Sequence, residues 1–298
     1  MVLIKSKKAY KYLLLNLFMI VSSFYKYIEI NNLEGFQIKH LDYCKALGIK
    51  GKILIGKEGI NGSISGTKEQ INSYESNLKK NKIFKDLDFK HTSSASIPFR
   101  KIIVKIRKEI VTSGLNVNLK NKGKYIEPSK LKELLDKKED LILLDARNFY
   151  ESFVGKFKNA ITPKIKTFKE FKRVPKLISK YKDKKIVTYC TGGIRCEKAS
   201  AYLKEKGFKN VFQLHGGIIN FINQFPNTYF EGSCFVFDNR LTIPTGTTDI
   251  SVCVHCKTPP ARYINCNYRE CDEMFICCEK CDLNHNHQCK SCINTTQE

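Results

Sequence analysis

The chain has 298 residues, 42% of them hydrophobic, with 52 lysines and arginines against 29 aspartates and glutamates, a net charge of +23. This length and apolar content fit two or three globular domains and exclude a disordered or collagen-like chain. Thirteen cysteines are present, nine of them within residues 253–292, which is a local device rather than a general disulfide framework.

The charge is uneven: +15 over residues 1–125, +11 over 126–228 and −3 over 229–298. Positive potential of this size suits a polyanion, either nucleic acid or an anionic membrane; the alternative is a lysine-rich surface that is merely solvated. Residues 1–22 place four lysines before "YLLLNLFMIVSS", the layout of a signal peptide. The apolar run is too short to span a bilayer and flows directly into a strand pattern, so no membrane association is expected and the chain is assigned to the cytoplasm.

In chain order, "FMIVSSFYKYIEI" (18–30) predicts a strand and "LEGFQIKHLDYCKALG" (33–48) a helix stopped by Gly48. "GKILIGKEGINGSISG" (51–66) predicts a hairpin, and "TKEQINSYESNLKKN" (67–81) a helix with Thr67 as N-cap. "FRKIIVKIRKEIV" (99–111) alternates apolar and basic residues as a half-buried strand does. Strand, helix, hairpin, helix, strand predicts a ferredoxin-like α+β domain over 1–125. "NLKNKGKYIEP" (118–128) has the composition of a linker.

Residues 126–228 alternate differently. "LILLDAR" (141–147), "KKIVTYC" (184–190) and "NVFQL" (210–214) are apolar strands separated by helices at 131–140, 196–208 and 216–226, the last closed by Pro226. The pattern predicts a doubly wound parallel sheet, an α/β fold whose chemistry sits at the carboxyl ends of its strands. Cys190 lies at such an end. "KIKTFKEFKRVPKLISKYK" (164–182) interleaves Phe168, Phe171 and Tyr181 with lysines. It is either a single-stranded RNA surface or an amphipathic helix with an apolar core face.

The stretch "YCTGGIRCEKA" (189–199) sets Cys190 on a tight turn leading into a helix. A thiol is a nucleophile only when ionised. Gly192 and Gly193 allow backbone N–H groups to turn inward as an anion-binding nest, Arg195 supplies positive charge, and the following helix aims its positive end at the loop. Thr191, Ile194 and Cys196 complete the loop. The thiol is expected to be exposed at the mouth of the sheet. Arg195 follows Cys190 by five residues, one fewer than in the C-x5-R loop of cysteine phosphatases, and the tighter loop fits a smaller guest such as a terminal sulfur.

With "LLDARNFYE", "YCTGGIRC" and "VFQLHGGI", the central block resembles the rhodanese domain. The first motif carries the D-x-R-x-x-x-E element as Asp145, Arg147 and Glu151, better suited to a structural ion-pair set than to catalysis. Cys190 matches the persulfide-forming cysteine. Gly216 and Gly217 match the closing turn, with His215 a turn residue rather than a base. "GKEGINGSISG", "PFRKIIVKIRKEIV", "CTGGIRCEKASAYL", "GGIINFI" and "FEGSCFVFDNR" follow in order before a Cys-rich tail, so residues 18–292 resemble the rhodanese-related tRNA uridine hydroxylases. The first fifteen residues look like an extension of that layout. The resemblance implies oxygen-dependent 5-hydroxylation of the wobble uridine, with tRNA as partner through its anticodon region and molecular oxygen as co-substrate. No motif identifies the electron donor. Rhodanese-type sulfur transfer from Cys190 is the alternative activity, and a non-catalytic RNA-binding module a third class.

Cys196 is either a resolving thiol for Cys190 or a small packed residue at the helix N-terminus, Cys234 is another candidate redox partner, and Asp238 and Arg240 either shape the site or form a linker ion pair. In residues 229–298 the cysteines fall into pairs: Cys253 and Cys256, Cys266 and Cys271, Cys278 and Cys281, Cys289 and Cys292, with Cys277 extra. Such pairs suit structural zinc, with Cys253, Cys256, Cys278 and Cys281 as the first candidate set and His255, His285 and His287 as spare ligands. Metal-free thiols are the alternative. Two sites are arithmetically allowed, and spacing does not say which pairs share a metal.

Overall fold

A computed structural model describes residues 19–247, 250–259, 262–271 and 273–295, so the extension assigned to 1–15 lies outside the described residues. The chain forms two compact units, Met1–Gly114 with Asp238–Arg240, and Leu115–Phe237 with Leu241–Glu298. Among the described residues no helix is long and apolar enough to cross a membrane.

The first unit runs β1 (Met19–Tyr27), α1 (Leu33–Ala46), β2 (Lys50–Gly56), β3 (Gly59–Gly66), α2 (Lys68–Lys80), β4 (Phe89–Ser94) and β5 (Ile102–Ile106). Its sheet order is β4-β1-β3-β2-β5. The first four strands pair antiparallel, which is the ferredoxin-like arrangement, and β5 adds parallel to β2 at the edge. Alternation turns Ile53, Ile55, Ile60 and Ile64 to one face, where Cys44 of α1 and Ile71, Tyr74 and Leu78 of α2 join them in one core. Thr67 caps α2 as expected: its hydroxyl accepts from Gln70 N–H, while the Gln70 amide oxygen accepts from Thr67 N–H at 2.8 Å.

One assignment changes. The fourth ferredoxin strand is Phe89–Ser94, and the 99–111 segment expected in that role supplies the extra edge strand β5. Lys90, His91, Thr92 and Ser93 hide β4 from an apolar pattern. Lys90 is nevertheless buried, pairing with Asp88 at 2.9 Å beside the face of Tyr25.

The second unit runs β6 (Lys124–Ile126), α3 (Pro128–Asp136), β7 (Leu141–Asp145), α4 (Phe149–Val154), β8 (Gly155–Phe157), α5 (Val174–Leu177), β9 (Lys185–Tyr189), α6 (Ile194–Glu205), β10 (Asn210–Leu214) and α7 (Gly217–Gln224), and all of these strands but β8 form a sheet of order β6-β10-β9-β7. All its pairings are parallel. Lys124–Ile126, read as linker, is its edge strand. Val187 and Tyr189 face a core shared with α3 and α7, while alternation turns Ile186 and Thr188 to the other face, and α6 packs against β9 and β10.

Phe168 and Phe171 are buried and in mutual contact, so the lysine-interleaved segment spends its phenylalanines on the core rather than on stacked bases. The segment is also not one helix: a 3-10 stretch over Phe168–Arg173 gives way to α5, with Pro175 in its first turn.

The remaining elements are β11 (Phe230–Phe235), β12 (Thr242–Pro244), β13 (Arg262–Asn265), β14 (Met274–Cys277), α8 (Glu279–Asn284) and α9 (Lys290–Thr295). β11 bridges β8 and β12, all antiparallel, and β13 pairs with β14.

Candidate active site

β9 delivers Cys190 at its carboxyl end. Gly193, at φ 101°, then turns the chain through a left-handed step into α6. The Gly193 N–H donates to Cys190 Sγ at 3.1 Å. The Arg195 N–H and the Cys196 thiol donate to the same sulfur, and the Arg195 guanidinium adds favourable charge.

Burial pushes the Cys190 thiol up, but the Cys196 hydrogen bond, the Arg195 charge and the two backbone N–H groups outweigh it and bring the thiol down to about 6. Cys196 shifts the other way, pushed well up by burial and by the Cys190 sulfur, so it keeps its proton. Cys234 is pushed up to about 12 by burial, against the opposing charge of Arg147.

The expectation of an exposed thiol is not met. Cys190 is fully buried, because its sulfur points into the loop's own N–H groups and the loop closes over it. Thr191 and Gly192 are half-buried, and a Cβ placed on Gly192 meets nothing within 4 Å, so the open side of the loop lies there.

The back of the loop is held by the closing glycine turn. At the start of α7 the Ile218 N–H donates to the Cys190 carbonyl at 2.9 Å and the Ile219 N–H to the Thr191 carbonyl at 3.1 Å. Gly217, at φ 66°, lies so close that a Cβ would strike the Cys190 carbonyl oxygen and come within 2.8 Å of Gly193 N. The glycine pair is therefore the seat of the loop. His215 takes no part: its ring nitrogen pairs with Glu127 at 2.8 Å.

The motif Asp145, Arg147, Glu151 divides. Arg147 and Asp145 form a buried pair at 2.6 Å, and Arg147 also donates to the Gly155 carbonyl. Glu151 instead reaches across 44 residues of sequence to Arg195, accepting from both terminal guanidinium nitrogens at 2.5 and 2.8 Å. It also accepts from the Asn148 N–H, which fixes it at the start of α4. Arg195 thus acts on Cys190 through its field and its backbone N–H, with its guanidinium held by Glu151. Sequence alone missed that role for Glu151: an acidic residue in the D-x-R-x-x-x-E spacing gives no sign of a partner so distant.

Phe237, largely exposed, lies over the Arg195 guanidinium at 5.9 Å. Asp238 and Arg240 pair at 2.6 Å, and Arg240 donates to Thr92 Oγ1 and the Ser93 carbonyl of β4, so both serve the first unit.

In the tail, the sulfurs of Cys253, Cys256, Cys278 and Cys281 lie within 4.8 Å of one another. Those of Cys266, Cys271, Cys289 and Cys292 form a second such group, and these cysteine groups could hold a metal ion. None of the three histidines belongs to either group. His287 pairs with Asp282 at 2.6 Å, and His255 and His285 face one another, ring centroids 4.4 Å apart.

Residues 19–110 match the family described as UPF0176 acylphosphatase like domain, 127–224 the rhodanese-like domain, and 231–293 the rhodanase C-terminal. A tRNA uridine(34) hydroxylase of Bacillus licheniformis is 41% identical over 283 residues, covering 90% of this chain and 87% of that protein. One of Enterococcus faecalis is 41% identical over 89% of this chain and 87% of its own length, and one of Legionella pneumophila 44% identical over 75% and 90%. With three consecutive domain matches and relatives of this identity along most of its length, the chain belongs to the tRNA uridine(34) hydroxylase family.

Proposed function

We propose that this protein is a tRNA-modifying oxidoreductase of the cytoplasm that hydroxylates the wobble uridine at C5, using molecular oxygen and the Cys190 sulfur. The observation that carries the reading is the Cys190 loop at the carboxyl end of β9, where the sulfur accepts the Gly193 N–H at 3.1 Å and Arg195 follows, in a chain of the tRNA uridine(34) hydroxylase family. The charge of +15 and +11 on the first two sequence blocks suits tRNA phosphates, and binding should weaken steeply with salt.

Thiolate chemistry supplies a route. Cys190 adds to C6 of an extruded uridine, which leaves C5 electron-rich toward the oxidant. Once C5 carries oxygen, loss of its proton expels the thiolate and restores the ring. One oxygen atom enters the base; the other leaves as water, with two electrons and two protons from a donor. The base approaches on the open side at Gly192, and Thr191 and Gly192 yield to uncover the sulfur. Gly193 and Arg195 N–H groups stabilise the thiolate each time it is released.

Nucleoside mass analysis of tRNA from cells lacking the gene tests the activity. Loss of 5-hydroxyuridine derivatives is expected; loss of thiolated uridine would instead favour sulfur transfer. An anticodon stem-loop carrying 5-fluorouridine should trap a covalent adduct on Cys190, and absence of that adduct while Cys190→Ala still abolishes turnover refutes the addition step.

A further inference from the structure

The tail orders its thiol pairs in an alternating way. Sulfurs of the first pair, Cys253 and Cys256, meet those of the third, Cys278 and Cys281. The second pair, Cys266 and Cys271, meets the fourth, Cys289 and Cys292. Contacts across the pairs are 3.6 Å for Cys256–Cys278 and 3.8 Å for Cys271–Cys289. Those separations are far beyond a disulfide bond of about 2.05 Å. They match the edge of about 3.8 Å in a tetrahedron of thiolates around a metal bonded at about 2.3 Å. Backbone N–H groups already face two of the sulfurs, Cys281 N–H to Cys278 and Cys289 N–H to Cys266, both at 3.4 Å.

The geometry points to two zinc ions in a cross-braced tail, one held by Cys253, Cys256, Cys278 and Cys281 and the other by Cys266, Cys271, Cys289 and Cys292. Four soft thiolates in a tetrahedral set select zinc or iron, and closed four-ligand sites of this kind are structural. The segment also needs them. Between Cys253 and Cys292 the sheet among the described residues is the two-stranded β13–β14 ladder, and an isolated pair of strands is marginal in water. Its described core is mostly the cysteines themselves, with Tyr263, Phe275 and Ile276. Cys277 joins neither group: it lies in β14, opposite Arg262, with Cys253 the sulfur beside it at 4.0 Å.

The brace reaches the thiol loop. Tyr263 in β13 donates its hydroxyl to the Tyr150 carbonyl at 2.5 Å, and its ring meets Phe235 edge-on. Tyr150 precedes Glu151, which grips Arg195 beside Cys190. Zinc therefore steadies the start of α4, and through it the field on the sulfur. This second consequence rests on Cys190 being the reactive thiolate; the metal assignment does not.

Elemental analysis of the intact chain should give two zinc ions per molecule. Cys256→Ser and Cys292→Ser should each leave one, the double variant none, and Cys277→Ala two. Iron in place of zinc, fewer than two metals in the wild type, or metal loss confined to Cys277→Ala would overturn the assignment. Should a ligand variant fail to fold, alkylation of the wild type decides: the eight ligand cysteines should be protected until a chelator is added, and protection indifferent to chelator refutes the sites. For the link to the loop, Tyr263→Phe should keep both zinc ions yet slow alkylation of Cys190 at neutral pH severalfold. An unchanged rate refutes the coupling and leaves the metal count standing.

Discussion

The Cys190 loop and the cysteine-rich tail both gather sulfur, and they stabilise it by different means. In the loop a single anionic sulfur is surrounded by donors: two backbone N–H groups, one thiol and a nearby guanidinium. In the tail four sulfurs converge on each of two points, and backbone N–H groups reach individual sulfurs there, Cys281 N–H to Cys278 and Cys289 N–H to Cys266 at 3.4 Å. Four thiolates repel one another and call for a cation; one thiolate in a nest of N–H groups does not. Thiol chemistry is thus decided by what faces the sulfur and not by burial, since Cys190 and Cys234 are equally buried and titrate at opposite ends of the scale.

Removing the loop's sulfur gives the largest effect. Cys190→Ala should reduce 5-hydroxyuridine formation by a factor on the order of 10³ or more, since it removes the nucleophile itself. The same substitution at Cys277 should leave the modification within about twofold. Quantifying the nucleoside in complemented cells makes the comparison.

Next comes the seat of the loop. Gly217→Ala would force a side chain into the left-handed region and against the Cys190 carbonyl, which is backbone and gives way only if the loop moves. A cost of about 2–4 kcal/mol is expected from backbone strain and overpacking combined. Urea unfolding reads that loss. Gly192→Ala, in open space, should cost under about 1 kcal/mol.

Neutralising Arg195 touches ionisation directly. In Arg195→Gln the thiol of Cys190 should rise by about one unit, as expected for the loss of one nearby charge. Alkylation of Cys190 followed against pH checks it: a midpoint near 6 in the wild type should move upward. A static midpoint would mean that the N–H groups and Cys196 hold the sulfur unaided. The variant also leaves Glu151 buried without its cation, so it should be less stable than wild type by about 3 kcal/mol.

What the sequence discloses of this site is local. The apolar strand, the two glycines and Arg195 stand together within residues 185–195, and they mark the thiol because an anion nest needs those residue types side by side. The Thr67 cap is legible for the same reason. Glu151 is not, since its partner is 44 positions away and the pairing exists only once α4 and α6 are packed. The burial of Cys190 escapes too, because glycine content speaks of a turn but not of which way the sulfur points. β4 is hidden by its polar residues, and Phe168 and Phe171 suggest stacking surface until the fold buries them. The alternating union of cysteine pairs is equally a property of the folded tail, where nothing in the spacing prefers first-with-third over first-with-second.

The smallest effect belongs to Cys234, and it tests the comparison most sharply. Its sulfur is buried and lies in the field of Arg147, Glu151, Asp145 and Cys190, which makes it the natural candidate for a second redox thiol. Yet it has the Phe235 carbonyl as acceptor at 3.7 Å, which favours the protonated form. Because the folded protein raises its pKa to about 12, the neutral thiol contributes stability below the ordinary thiol range, and that contribution is lost as pH climbs through about 12. Cys190 has the opposite sign: its contribution is present above the ordinary range and is lost as pH falls through about 6. Cys234→Ala should therefore leave hydroxylation within about twofold and remove a stabilising buried group at neutral pH, costing about 1 kcal/mol or less. If the variant instead loses activity as Cys190→Ala does, a protonated thiol shares the chemistry, and the division between a donor-rich reactive sulfur and donor-poor inert ones fails at its simplest case.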